Sequence, residues 1–152
     1  MKLSNRQDIE APIQSVYAAA SNFPAIERQV EKRGVAVERD PDAPDTGPGK
    51  RWTARANWRG REHVILSELV SVDEGQGYAI ESSSGGVVCM TVVDMVALSR
   101  TRTRLLVSME LRPTTLSSRL LVQSLRLAKA RLNGRLKSRM QEFAHRMETG
   151  TG

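Results

Sequence analysis

The sequence predicts an α+β protein: a curved antiparallel sheet of six or seven strands wrapped around a long C-terminal helix, with two short helices after the first strand. Three observations carry that expectation. Residues 114–148 contain no Pro and one Gly and are rich in Leu, Ala, Arg, Lys, Gln and Met, the strong helix formers. Between residues 35 and 111, apolar residues alternate in short runs separated by Gly-containing turns, the pattern of strands joined in hairpin succession. Two short amphipathic segments lie between the first strand and the rest.

Taken in order, residues 2–10 alternate Leu3, Asn5, Gln7 and Ile9 against polar neighbours, a weak strand that Ala11-Pro12 stops. Ile13, Val16, Tyr17 and Ala20 then recur at helical spacing, and Asn22-Phe23-Pro24 breaks this helix and starts a second. The two helices are expected near 13–22 and 24–32, with Gly34 ending the second. Val35 and Val37 begin a second strand, and residues 40–49, with three Pro and two Gly, form a loop by composition. In the third strand Trp52, Ala54, Ala56 and Trp58 alternate with Arg51, Thr53, Arg55, Asn57 and Arg59, so one face is apolar and the other wet. Strands over 62–72, 78–84, 87–98 and 103–111 follow, parted by Asp73–Gly77, Gly85-Gly86 and a turn near Arg100.

The C-terminal stretch is expected to form one helix over 117–147. Leu121, Leu125, Ala128, Leu132, Leu136, Met140, Phe143 and Met147 recur at steps of three or four and mark one apolar stripe. Thr114, Thr115 or Ser117 can cap its start, and Asn133-Gly134 is the expected site of a bend or a close backbone contact. A helix with such a stripe needs a sheet to bury it.

Charge gathers on the same stretch. Residues 114–148 hold eight basic and two acidic side chains, which accounts for the whole formal charge of +6, while the rest of the chain is neutral. A basic helix can serve RNA, an anionic membrane surface or an acidic protein. The simpler account is a solvated face whose Arg and Lys stems cover apolar surface, and nucleic acid or membrane partners rank below it.

With 152 residues, one domain spanning 1–152 is expected. The residues after Met1 turn polar before any signal-peptide core can form, and no apolar run is long enough to span a bilayer. The single Cys89 excludes an intrachain disulfide framework and fits a reducing, cytoplasmic setting.

The element order, together with the opening Ile9-x-Ala11-Pro12-x-x-x-Val16-Tyr17, resembles the START/polyketide-cyclase superfamily, the helix-grip fold. The resemblance covers nearly the whole chain. It implies a sheet that wraps the C-terminal helix and leaves a cavity for an apolar small molecule such as a lipid, polyketide or quinone. Relatives of this kind include lipid-transfer proteins, aromatase/cyclases, coenzyme Q-binding proteins and ribosome-associated toxins.

The residues add their own hint of a cavity. Two alanines between two tryptophans on one strand face leave space that Leu or Phe would fill, unless Trp52 and Trp58 fold over them. Small and hydroxylated residues on inner faces suit a pocket that is mostly apolar with a few polar anchors. The expected ligand-binding set is Trp52, Ala54, Ala56 and Trp58 on strand three, Tyr78, Ile80 and Ser82 on the strand of 78–84, and Leu121, Ser124, Leu125, Ala128 and Leu132 on the helix.

Catalytic groups are sparse. His63 and His145 with Cys89 match no metal motif, and there is no phosphate-binding loop, dinucleotide fingerprint or nucleophile elbow, so neither cofactor nor metal is expected. Glu68 and Asp94 sit within apolar strands; turned inward, either would serve as a general acid or base, whereas the imperfect alternation favours the solvated face. A carrier or sensor of an apolar small molecule is therefore the first reading. A cyclase- or dehydratase-like enzyme is second, and a nucleic-acid or ribosome-binding module third.

Overall fold

The computed structural model describes residues 1–150 of the chain. Strand β1 (Lys2–Ile9) is followed by helices α1 (Ile13–Ala20) and α2 (Phe23–Lys32). Strands β2 (Ala36–Arg39), β3 (Arg51–Trp58), β4 (Arg61–Asp73), β5 (Gly77–Ser84), β6 (Val87–Ser99) and β7 (Arg102–Pro113) come next, and helices α3 (Leu116–Leu127) and α4 (Lys129–Thr149) close the chain. The seven strands form one antiparallel sheet in the order β1-β7-β6-β5-β4-β3-β2. Consecutive strands from β2 to β7 are neighbours, and β1 joins at the far edge against β7. This is the helix-grip arrangement expected from the sequence.

Period-two alternation assigns one face of each strand to the interior. Register then aligns those faces: Trp52 lies opposite Ser67, Leu69 opposite Ile80, Tyr78 opposite Val93, and Val93 opposite Val107. The strand over 2–9, weak in sequence, is paired with β7 along its whole length, Leu3 against Met109 through Ile9 against Thr103.

Packing is uneven along this concave face. At one end Ile9, Val16, Leu69, Met95, Leu105, Met140 and Ala144 are buried under α1, α2 and the later turns of α4. At the other end the inward positions Ala54, Ala56, Ser82, Cys89, Thr91, Met109 and Leu111 are all only half-buried.

Two polar clusters fasten the helices over the buried end. In α2, the Glu27 carboxylate accepts from Trp52 Nε1 (3.1 Å) and from Arg39 Nε at 2.8 and 3.1 Å, tying the helix to β2 and β3. Phe23, on the first turn of α2, packs against both Trp52 and Tyr78, with ring centroids 5.4 and 5.2 Å apart. On the other side, Asn5 Nδ2 of β1 donates to both the backbone O and the Oδ1 of Asn133 in α4, at 3.0 Å each.

The C-terminal stretch departs from the sequence expectation in one respect. It is two helices meeting at Ala128 (φ −101°, ψ 10°), with α4 the long one at 21 residues. Asn133 and Gly134 lie inside α4, where the helix is not interrupted, and the Asn133 carbonyl takes the contact from Asn5. Ala128 is among the best helix formers, so no local preference explains a break there. The anchors at either end do. The start of α3 is fixed by Thr115 and Ser118, which cap each other, and by Thr114, whose N–H and hydroxyl both donate to Gly86 O between β5 and β6. A Cβ on Gly86 would press on Thr115 Oγ1 at 2.9 Å, so this approach of backbone to helix requires glycine. The other anchor, Asn133 on Asn5, lays α4 along β1, and the chain changes direction between the two.

The break also changes which residues are covered. From Leu125 to Met147 the expected stripe is buried or half-buried, but in α3 the buried residues are Ser118 and Val122. Leu121 is 48 % exposed, and Leu116, Leu120 and Leu127 more so.

Core and α3 leucines should therefore respond oppositely to truncation. Leu69→Ala, at a site 1 % exposed, is expected to cost about 2–5 kcal/mol. Leu120→Ala, at a site 67 % exposed, should stay within about 0.5 kcal/mol. Urea unfolding of both variants, with unchanged m-values, measures the difference.

Candidate functional site

A cavity of about 240 Å³ lies between the end of α1, the first turns of α2, the concave face of the sheet and the second half of α4. The geometry follows from the anchors above: Glu27 and Phe23 hold α2 on the β2–β5 side, Asn133 holds α4 on β1, and the gap between the helices stays open above the middle strands. Its helical walls are small or aliphatic on one side, Ala20, Ala25 and Ile26, and larger on the other, Met140 and Phe143. Tyr78, Val93, Leu105 and Val107 form the floor. Polar groups enter from the rim: Asn22 and Gln29 from α2, Arg139 and Arg146 from α4.

Two of these polar groups are already committed. Asn22 Oδ1 accepts from Ala25 N and caps α2. The Tyr78 hydroxyl donates to Ala20 O at 2.6 Å, which ties β5 to the last turn of α1. Burial, with a smaller contribution from nearby Tyr17, raises the Tyr78 pKa to about 12. It stays protonated and serves as a fixed donor. Arg139 reaches Glu142 at 3.7 Å in an exposed pair, which leaves it only weakly engaged. Arg146 is half-buried and has no acidic partner within ion-pair distance among the described residues. A cation beside an apolar cavity gains from an anionic group placed there.

Of the twelve residues expected to bind ligand, only Tyr78 lines this cavity. Trp52 is buried under α2, and Trp58 is 60 % exposed at the β3–β4 turn, with the Arg59 guanidinium 4.5 Å from its ring centroid. The alanines between them, Ala54 and Ala56, are inward and half-buried, as are Ile80 and Ser82; Ser82 shares a 2.8 Å hydrogen bond with Ser67. These residues form an open floor on the far side of the Phe23–Trp52–Tyr78 cluster. On the helices, Leu125, Ala128 and Leu132 are half-buried and outside the cavity, Leu121 is exposed, and the exposed Ser124 donates to Leu120 O of its own helix. The α2 and α4 residues were missed because the spacing of Ala25, Ile26 and Gln29 reads as an ordinary helix face. Their place at the cavity wall follows from where α2 is held, which no local pattern encodes.

The candidate acids face away from the interior. Glu68 lies opposite Arg51 and Glu81, on the face turned from Leu69 and Ile80, and Asp94 is exposed between the inward Val93 and Met95. His63 faces inward opposite Ala56, and its Nε2 is buried with no hydrogen-bond partner. Cys89 is inward and half-buried, and burial pushes its thiol pKa up, which suits a packed side chain rather than a nucleophile. His145 is exposed on α4. Among the described residues no cluster of His, Cys, Asp and Glu could hold a metal ion, and no helix is long and apolar enough to cross a membrane.

No family model matches the chain, and no curated protein matches it in sequence. Solved structures do match in fold. A norcoclaurine synthase of Thalictrum, solved with a transition-state analogue, superposes with a TM-score of 0.72 at 13 % identity, covering 100 % of this chain and 96 % of that one. The Zhui aromatase/cyclase of Streptomyces gives 0.70 at 12 % identity, over 100 % and 98 %. A Thermus thermophilus protein gives 0.69 at 16 % identity over the full length of both chains. The shared feature is the helix-grip fold.

Removing the Tyr78 hydroxyl isolates its role. Tyr78→Phe leaves Ala20 O without its donor and should cost about 1–3 kcal/mol. The folded pKa is raised, so the contribution of this group is intact below the ordinary tyrosine value of 10 and lost as pH rises from there towards 12. Stability measured across that window should fall in the parent protein and fall less in Tyr78→Phe.

Proposed function

We propose that the protein binds a compact apolar small molecule, bearing an anionic group, in the cavity between α2 and α4. The cavity carries this reading: about 240 Å³ with Ala20, Ala25, Ile26, Met140 and Phe143 as its helical walls and an unpaired arginine at its rim. Ligand pockets commonly run from about 300 to 1,000 Å³, so the volume favours a small ring system over a long-chain lipid. The half-buried floor around Ala54, Ala56, Ile80 and Ser82 offers room for a larger ligand to extend. The fold neighbours support the general class, since one is a norcoclaurine synthase solved with a transition-state analogue and another an aromatase/cyclase.

Binding rather than turnover is the reading we favour for this cavity. Its lining includes no carboxylate, histidine or thiol, and the Tyr78 hydroxyl is held by Ala20 O. A cyclase-like role would require His63, whose unpartnered Nε2 lies on the inward face of β4. That residue could act on a ligand long enough to reach the open floor.

Calorimetric titration with 2-naphthoic acid and with 2-naphthalenemethanol tests the reading. Both should bind, and the acid should bind about tenfold more tightly, as a charge-assisted contact to Arg146 would supply. Ala25→Leu should weaken both by about tenfold or more by occupying the cavity, whereas Ala56→Leu should leave both unchanged within about twofold. Failure of both probes to bind, or equal loss in the two alanine variants, would remove the cavity from consideration.

A further inference from the structure

Between Glu110 and Glu142 the chain contains no acidic residue and eight Arg or Lys. Among the described residues only Arg139 of these eight has an acid within ion-pair distance. Helix α3 lies wholly within that run. It leaves Leu116, Leu120 and Leu127 exposed by 80, 67 and 92 %. Their spacing of four and then seven residues sets them on one face, and the buried Ser118 and Val122 hold the opposite face to the protein. Single exposed leucines are ordinary on protein surfaces, but three aligned on one helix amid unneutralised cations make a contact surface.

Charge and side-chain type decide what it contacts. A second copy of the chain would bring Arg119 and Arg126 of two helices together, with no acid in the run to offset them. Single-stranded RNA is gripped by aromatic stacking, and α3 has no aromatic residue. An anionic bilayer answers both features at once: aliphatic side chains enter the boundary between headgroups and acyl chains while arginines meet lipid phosphates. We infer that α3 docks the protein on an anionic phospholipid surface, with Leu116, Leu120 and Leu127 in the interface and Arg119 and Arg126 beside it. The helix lies on the membrane and does not cross it. This docking is independent of what the cavity holds.

Co-sedimentation with vesicles tests it. The full chain is mixed with vesicles of pure phosphatidylcholine, or of phosphatidylcholine containing about one-third phosphatidylglycerol, at near-physiological salt. Partitioning should be at least about tenfold stronger on the anionic vesicles. The double variant Leu120→Ser/Leu127→Ser should lose about tenfold or more of that binding, and Arg119→Gln/Arg126→Gln a comparable amount, with melting temperatures unchanged because all four side chains are exposed. Equal partitioning on the two vesicle types, or none, overturns the inference, and this comparison needs no variant. Concentration-dependent dimerisation abolished by the leucine variant would assign the face to self-association instead. Retention on single-stranded RNA that survives the leucine variant and falls with the arginine variant would assign it to nucleic acid.

Discussion

The governing constraint is a mismatch of widths. Seven strands spaced about 4.8 Å apart make a sheet about 29 Å across, whereas one helix with its side chains covers about 10–12 Å. The helices cover one face of the sheet, and α4 is held at its β1 edge by Asn5 and Asn133. From that edge only its later turns reach the middle strands, where Met140 and Ala144 join the core with Leu69, Tyr78 and Val93. Helices α1 and α2 cover part of the remainder, drawn down by Glu27, Phe23 and the Tyr78–Ala20 hydrogen bond. The gap between the two helical covers is the cavity, and the region beyond them is the half-buried floor of small residues. Space for a ligand is thus a consequence of how few elements cover the sheet and where each is tied.

Much of the architecture was legible in the sequence because it rests on periodicity. The alternation of Trp52, Ala54, Ala56 and Trp58 identified the inward face of β3 correctly, and the Gly-containing turns separated strands that are indeed sequential neighbours. The stripe from Leu125 to Met147 found the covered face of α4. Legibility ended where tertiary anchors decide. Nothing around Ala128 disfavours a helix, yet the chain turns there because Thr114 and Asn133 bind different parts of the sheet. A continuous helix would have carried Leu121 along the stripe; the turn leaves it exposed and buries Val122.

The site itself was the least legible part. Two alanines on β3 suggested empty space, and they are in fact half-buried, but the cavity between α2 and α4 lies on the other side of the aromatic cluster. Small residues signal room only when it is known what stands opposite them. Ala25 and Ile26 form a wall because Glu27, beside them on α2, is fixed to Trp52 and Arg39, a contact spanning 25 residues of sequence in the first case. The charge reading was coarser than the structure in a related way. A basic helix with a buried apolar stripe reads as a solvated face, and the exposure of its first three turns becomes visible only once α3 is separated from α4.

The position of a bound ligand separates a cavity between α2 and α4 from the half-buried floor of β3. Methyl-selective NMR of the protein with 2-naphthoic acid locates it directly. Intermolecular contacts to Ala25, Ile26, Val107 and Met140, with none to Leu120 or Leu127, are the result predicted by a cavity between α2 and α4. Contacts confined to Ala54 and Ala56, or to the α3 leucines, would contradict it.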